Sequence, residues 1–201
     1  MTGALLALLN ALAAILTPVL RLGRFLAWVA LALMVVVILV QVFYRYVLDA
    51  ALPWPDEAAR FLMLWMTGLI APSAMRWGGF VAIDMVPEMM PRTARLVLML
   101  ILYAIALTVL TFAVRFGWGH TMGFGGNFDS SSLRIPLDWF GGDTVKVKLR
   151  YMYASLLVGC ALLWIVTVEM VLRTILELIA PDRTRPDRDA PKTDMAAVGA
   201  D

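Results

Sequence analysis

The residues best equipped for chemistry stand close together in one stretch, where Phe43-Tyr44-Arg45-Tyr46-Val47 is followed by Pro53-Trp54-Pro55-Asp56-Glu57-Ala58-Ala59-Arg60. A pair of carboxylates can act as general acid and base. Asp56 and Glu57 are adjacent in sequence, however, and adjacent side chains diverge by about 100° around a helix. Pro55 suits a first helical position, and the two acids after it complement the positive end of the helix dipole. The role that fits these residue types is structural. Asp56, Glu57, Arg45 and Arg60 are expected to form an ion-pair knot that sets the angle between two helices, with Trp54 at the membrane interface.

Other reactive side chains are scarce. His120 is the single histidine and Cys160 the single cysteine. One chain therefore offers no disulfide, no bis-histidine haem site and no His/Cys zinc cluster. No cofactor, metal site or enzymatic activity is expected. Ionisable groups deep in a membrane are functional candidates by default, but no Asp, Glu, Lys or Arg falls at the centre of an apolar block. Gln41 reads as an interhelical hydrogen-bonding group. Glu169 and Arg173 are spaced i, i+4, an arrangement that supports a helix end. Arg76 and Asp84 read as interface anchors on either side of a turn.

The elements that carry these residues follow from composition. Of 201 residues, 62% are apolar and 16% charged, against roughly 45–50% and about 25% in a soluble domain. A spanning helix needs ~20 apolar residues to cross ~30 Å of hydrocarbon. Four blocks pass that test, at about 25–47, 58–75, 96–114 and 151–172, together forming a transmembrane domain over 25–172. The expected fold is an all-α membrane protein, a bundle of four transmembrane helices with interfacial amphipathic helices. Pro72 is expected to bend the second span. Tyr44, Tyr46, Trp77, Trp118, Tyr151 and Tyr153 suit the membrane–water interface.

Residues 1–24 read as an amphipathic or interfacial N-terminal helix, because Asn10, Thr17 and Pro18 interrupt the apolar run. A short extra span or re-entrant piece stays open, since no strongly charged face is present. No Lys or Arg precedes Arg21, so the segment lacks the basic start of a secretory signal and is expected to be retained. Phe80 to Met90 mixes apolar residues with Asp84 and Glu88 and reads as a second interfacial segment. The stretch 117–149, rich in Gly, Ser and Asp, is the long outer loop. Residues 181–201 are polar and Pro-containing and are expected to be a disordered tail. Basic residues near the span ends place both termini in the cytoplasm. The net charge of +2 is not gathered into a stripe, so nucleic acid is not an expected partner. No internal repeat with broken helices, a common feature of self-sufficient secondary carriers, is visible.

Taken in order, Arg45-Tyr46-Val47, Trp54, Asp56-Glu57, Arg60, Trp65, Arg76, Gly78-Gly79, Ile83-Asp84 and Pro91 resemble the small membrane subunit of tripartite ATP-independent periplasmic (TRAP) transporters, the DctQ-like family. The resemblance covers roughly Phe25 to Leu172. Family members often carry a histidine where Phe80 stands, so any role of that histidine is missing here. The resemblance implies a scaffold or stator in a bacterial inner membrane. Its partners would be a large membrane subunit, which carries an organic acid with sodium ions, and a periplasmic substrate-binding protein, with lipid around the bundle. Two rivals remain. A small homodimeric exporter would need a membrane-embedded acid, and a membrane anchor of a quinone-linked oxidoreductase would need haem shared between chains.

Overall fold

The computed structural model describes residues 2–78, 90–135 and 145–180. Its elements are α1 (Thr2–Val47), α2 (Pro55–Arg76), α3 (Arg92–Met122), β1 (Asp129–Ile135), β2 (Val145–Lys148) and α4 (Arg150–Ile179), with a 3-10 turn at Phe124–Asn127 between α3 and β1. Each of the four helices is long and apolar enough to cross a membrane. The chain is thus an all-α membrane protein, with one small hairpin among the described residues. Asp84 and the proposed interfacial segment around it, the loop tip at 136–144 and the tail at 181–201 lie outside the described residues.

Each helix begins and ends where its residue types dictate. Pro55 at the start of α2 has no amide hydrogen to leave unpaired, and Asp56 and Glu57 follow it in the first turn. At the other end Gly78 adopts φ 72°, the left-handed conformation that stops a helix and that glycine takes without a steric penalty. The amide of Gly78 donates to the carbonyl of Met75 at 3.2 Å. Helix α3 follows Pro91, whose extended backbone (φ −59°, ψ 145°) leads into it.

One sequence expectation differs from the structure in form. The interruptions at Asn10, Thr17 and Pro18 predict an interfacial helix over residues 1–24, whereas α1 runs unbroken from Thr2 to Val47 with Pro18 inside it. Proline in a helix interior costs about 3 kcal/mol, so something must hold the helix together there. Leu16 and Leu20 flank Pro18 and are buried against Val166 of α4, with Leu12, Met75, Ile165 and Met170 packed around them. This cluster fixes α1 on both sides of the proline. Its 46 residues correspond to ~69 Å of helix.

Packing sets the order of the bundle. Helix α1 runs antiparallel to α2, with Thr17 beside Arg76 and Gly23 beside Leu69. Helices α2 and α4 run parallel and cross where Gly68 meets Gly159. A Cβ on Gly68 would lie 2.7 Å from the Ser155 carbonyl oxygen, and one on Gly159 would lie 2.8 Å from Gly68 Cα. Both positions therefore need glycine, the usual device for close helix approach in lipid. Helix α3 packs antiparallel on α4, with Gly117 against Leu157 and Trp164 Nε1 donating to Thr111 Oγ1 at 3.1 Å. Phe25, Trp28 and Leu39 of α1, and Ile105, Val109 and Phe112 of α3, remain exposed. So large an apolar surface fits lipid or another membrane protein, not water.

The long loop contains structure that composition did not reveal. Its first residues continue α3 as far as Met122, and its remainder supplies an antiparallel hairpin, β1 with β2. In the register Asp129 is opposite Lys148, Arg134 opposite Lys146 and Ile135 opposite Val145, with a bulge between Asp129 and Arg134. Leu149 N donates to Phe128 O at 3.0 Å, closing the hairpin base where it joins α4.

Candidate functional site

At the hairpin end of the bundle, Glu57 is the organising residue. Its Oε2 accepts hydrogen bonds from the backbone amides of Ser132 (2.7 Å) and Leu133 (3.0 Å) and from the hydroxyls of Ser132 (2.5 Å) and Ser131 (3.3 Å). The bulge explains how this is possible. Residues set free from the ladder with β2 present their amides sideways, as bulges re-aim backbone groups, and a carboxylate fits such a concavity of N–H donors. Ser130 Oγ also accepts from Leu133 N at 3.1 Å, which holds the bulge in shape.

The structure does not join the expected knot of Arg45, Asp56, Glu57 and Arg60. Glu57 is turned to β1, while Asp56, Arg45 and Arg60 are exposed. Among the described residues no ion pair links any two of these four. The Arg45 guanidinium lies 5.8 Å from the Tyr46 ring centroid, on its own helix. Trp54 occupies the N-cap position of α2 and is exposed. The physical reason is distance of another kind: β1, remote in sequence, supplies amide donors that hold the carboxylate without requiring a long cationic side chain to be ordered.

At the opposite end the charged residues converge instead. Glu169 of α4 has no exposed side-chain surface and Arg76 of α2 has 2%. Arg76 Nη2 donates to Glu169 Oε1 at 3.0 Å. Arg173, one turn further along α4, donates to the same oxygen from Nη2 (2.6 Å) and Nε (3.1 Å). Arg76 Nη1 donates to Thr17 Oγ1 of α1 at 3.0 Å, while Thr17 in turn donates to Ala13 O at 2.7 Å. Nearby, Arg24 of α1 lies 4.6 Å from the Trp77 ring centroid and reaches Ser73 Oγ at 3.4 Å. Finally Glu177 of α4 faces Arg92 (3.7 Å) and Arg95 (3.6 Å) of α3. Through these side chains all four helices are tied at one end.

The energetics of the contacts differ. Taking one partner from a buried ion pair costs about 3–5 kcal/mol, because the other charge is stranded. The half-exposed Glu177 pairs belong to the class of surface bridges that contribute about 0–1 kcal/mol. Glu169 with two arginines is therefore the strong node and Glu177 the weak one. Oε2 of Glu169 is buried without a hydrogen-bond partner, so this carboxylate is held through its other oxygen, which accepts all three guanidinium hydrogen bonds.

The sequence showed the Glu169–Arg173 spacing but not the Arg76–Glu169 pair, whose members are separated by 93 residues. Burial of an acid within an apolar block was the one signal that could have prompted a search for a distant cation. Among the described residues no group of three His, Cys, Asp or Glu side chains could hold a metal ion. The arrangement is one of bracing: two polar ties at the ends of the bundle and a glycine crossing between them.

Residues 34–177 match the family model described as tripartite ATP-independent periplasmic transporters, DctQ component. No curated protein matches the chain. The matched region holds the hairpin, Glu57, Arg76, Glu169 and Arg173, and leaves out the first part of α1 with Thr17.

Proposed function

The chain belongs to this family of TRAP transporter components, and on that premise we propose that it is the small permease subunit that acts as scaffold and stator for a larger, moving transport subunit. The larger subunit carries an organic acid coupled to sodium, and a soluble periplasmic protein delivers the substrate. The chain sits in a bacterial inner membrane with both termini in the cytoplasm. The hairpin end then faces the periplasm and the Arg76 end the cytoplasm.

The observation that carries this reading is the state of Glu169. It is a fully buried acid within a helix long enough to span, and it is bound to two guanidinium groups from two elements. A carboxylate held in that way braces helices and does not offer itself to a passing cation. The exposed apolar faces of α1 and α3 suit a membrane-embedded partner.

Affinity purification of the tagged chain from its native membrane tests the proposal. A large hydrophobic permease is expected to co-purify, and isolation of the chain alone would remove the scaffold reading. Proteoliposomes holding only this chain should show no uptake of organic acid down a sodium gradient. Uptake by the chain alone would favour the self-sufficient carrier instead.

A further inference from the structure

The first turn of α3 carries more positive charge than its surroundings balance. Arg92 and Arg95 both stand in that turn, and no acid stands with them. Positive charge at the positive end of a helix dipole is unfavourable. Among the described residues the acid that faces both is Glu177 of α4, whose Oε1 lies 3.7 Å from Arg92 Nη2 and 3.6 Å from Arg95 Nη2. Both distances exceed the roughly 2.7–2.9 Å of a charge-assisted hydrogen bond. One carboxylate thus faces two guanidinium groups loosely, and one positive charge is left over. The side chains of Arg92 and Arg95 are 54% and 39% exposed, so both can meet a ligand from outside the bundle.

Apolar side chains lie open around this patch. Further along α3, Val97 and Ile101 are exposed, and on α4 the residues that follow Glu177, Leu178 and Ile179, are exposed as well. A free anion or a soluble acidic protein would neutralise the arginines and leave those apolar side chains uncovered. A lipid with an anionic headgroup meets both needs, because its phosphate accepts from guanidinium N–H groups while its acyl chains cover the apolar surface. Helix α3 has 31 residues, or ~46 Å, against ~30 Å of hydrocarbon. Its first turn can therefore reach the headgroup layer.

We propose that Arg92 and Arg95 form a binding site for the headgroup of an anionic phospholipid, with Glu177 as the acid that limits its affinity. Arginine suits the task, since its planar fork pairs with phosphate oxygens two at a time. Glu177 holds the two side chains near each other and competes for them, so that a bound headgroup and the Glu177 contacts are alternatives. The site does not depend on the scaffold role. Lipid bound there fastens the start of α3 at the membrane surface, where the protein's own ion pairs are weakest.

The test places the full chain, in the complex in which it is isolated, into nanodiscs of equal parts phosphatidylglycerol and phosphatidylcholine. Native mass spectrometry then counts which lipid stays bound as the disc is stripped away. The unaltered protein is expected to retain phosphatidylglycerol in preference. Arg92→Gln and Arg95→Gln should each lower that preference about fivefold, the factor for one basic residue near an anionic surface, and Arg92→Lys should keep most of it. Glu177→Gln should raise the preference, an effect that a purely structural role of the arginines does not produce. The unfolding midpoint is followed in the same samples, and if an arginine variant unfolds, Glu177→Gln decides. Equal retention of the two lipids by the unaltered protein, or no gain in Glu177→Gln, overturns the proposal. Displacement of the lipid by inorganic phosphate alone also overturns it, because the site then takes a free anion.

Discussion

Charge is used in opposite ways at the two ends of the bundle. At the Arg76 end, charged side chains bind one another across helices, with Arg76 and Glu169 buried, so that Glu169 serves α2 and α4 at once. At the hairpin end a single carboxylate binds backbone amides and serine hydroxyls of β1. The first arrangement fixes helices relative to each other, and its removal strands a charge. The second fixes a short hairpin to a helix, and its removal frees amides that water can reach. The contrast separates a stiff end from an adjustable one within the same chain.

The sharpest way to break the comparison is at Glu169. Glu169→Ala leaves Arg76 buried beside no acid and is expected to destabilise the bundle by about 3–5 kcal/mol, read as a fall in unfolding midpoint in mild detergent. The double change Arg76→Met with Glu169→Met should be milder than Glu169→Ala, since no buried charge is stranded. If the single and double variants lose equal stability, the pair is not the stiff node.

Next in size is the crossing between the two ends. Gly159→Ala forces a methyl group into the backbone of α2 at Gly68, and overpacking of this kind costs about 1–3 kcal/mol. Cysteine cross-linking between α2 and α4 should report a wider separation. Unchanged cross-linking yield would show that the helices do not touch there in the membrane.

Glu57→Ala tests the adjustable end. The loss is expected to be about 1.5–2 kcal/mol, the lower part of the range for hydrogen bonds to a charged group because Glu57 is only partly buried, and it should be confined to the hairpin. Hydrogen exchange should quicken at Ser132 and Leu133 while α2 and α4 keep their protection. Loss of protection throughout the bundle would erase the distinction between the ends. The smallest effect belongs to Glu177→Gln, expected within about 1 kcal/mol and weaker still at high salt, by the same unfolding measurement.

How much of this was legible depended on the range of each interaction. The four spans were readable because a membrane demands length and hydrophobicity, and both are local properties of the chain. The continuity of α1 was not, because Pro18 and Asn10 argue for a break while the packing of Leu16 and Leu20 on Val166 argues against one, and only the first is written locally. The hairpin escaped for a similar reason: Val145–Lys148 is a short alternating run, and its partner strand is a bulged serine-rich segment. Asp56 and Glu57 form a dense charged stretch in the sequence, but the donors to Glu57 lie more than seventy residues away. Arg76 reads locally as an anchor because its acid stands on the last helix.

The length of α1 has a bearing on the lipid around it. A rod of ~69 Å greatly exceeds the ~30 Å hydrocarbon layer, and residues 2–20 contain no charged side chain, while Leu8 and Ile15 lie open to the surroundings. Excess hydrophobic length is taken up by slant, by curvature or by local swelling of the bilayer. The protein's posture is thereby coupled to membrane thickness, so lipids of longer or shorter acyl chain should tilt α1 differently while the Arg76 node keeps its neighbours in register.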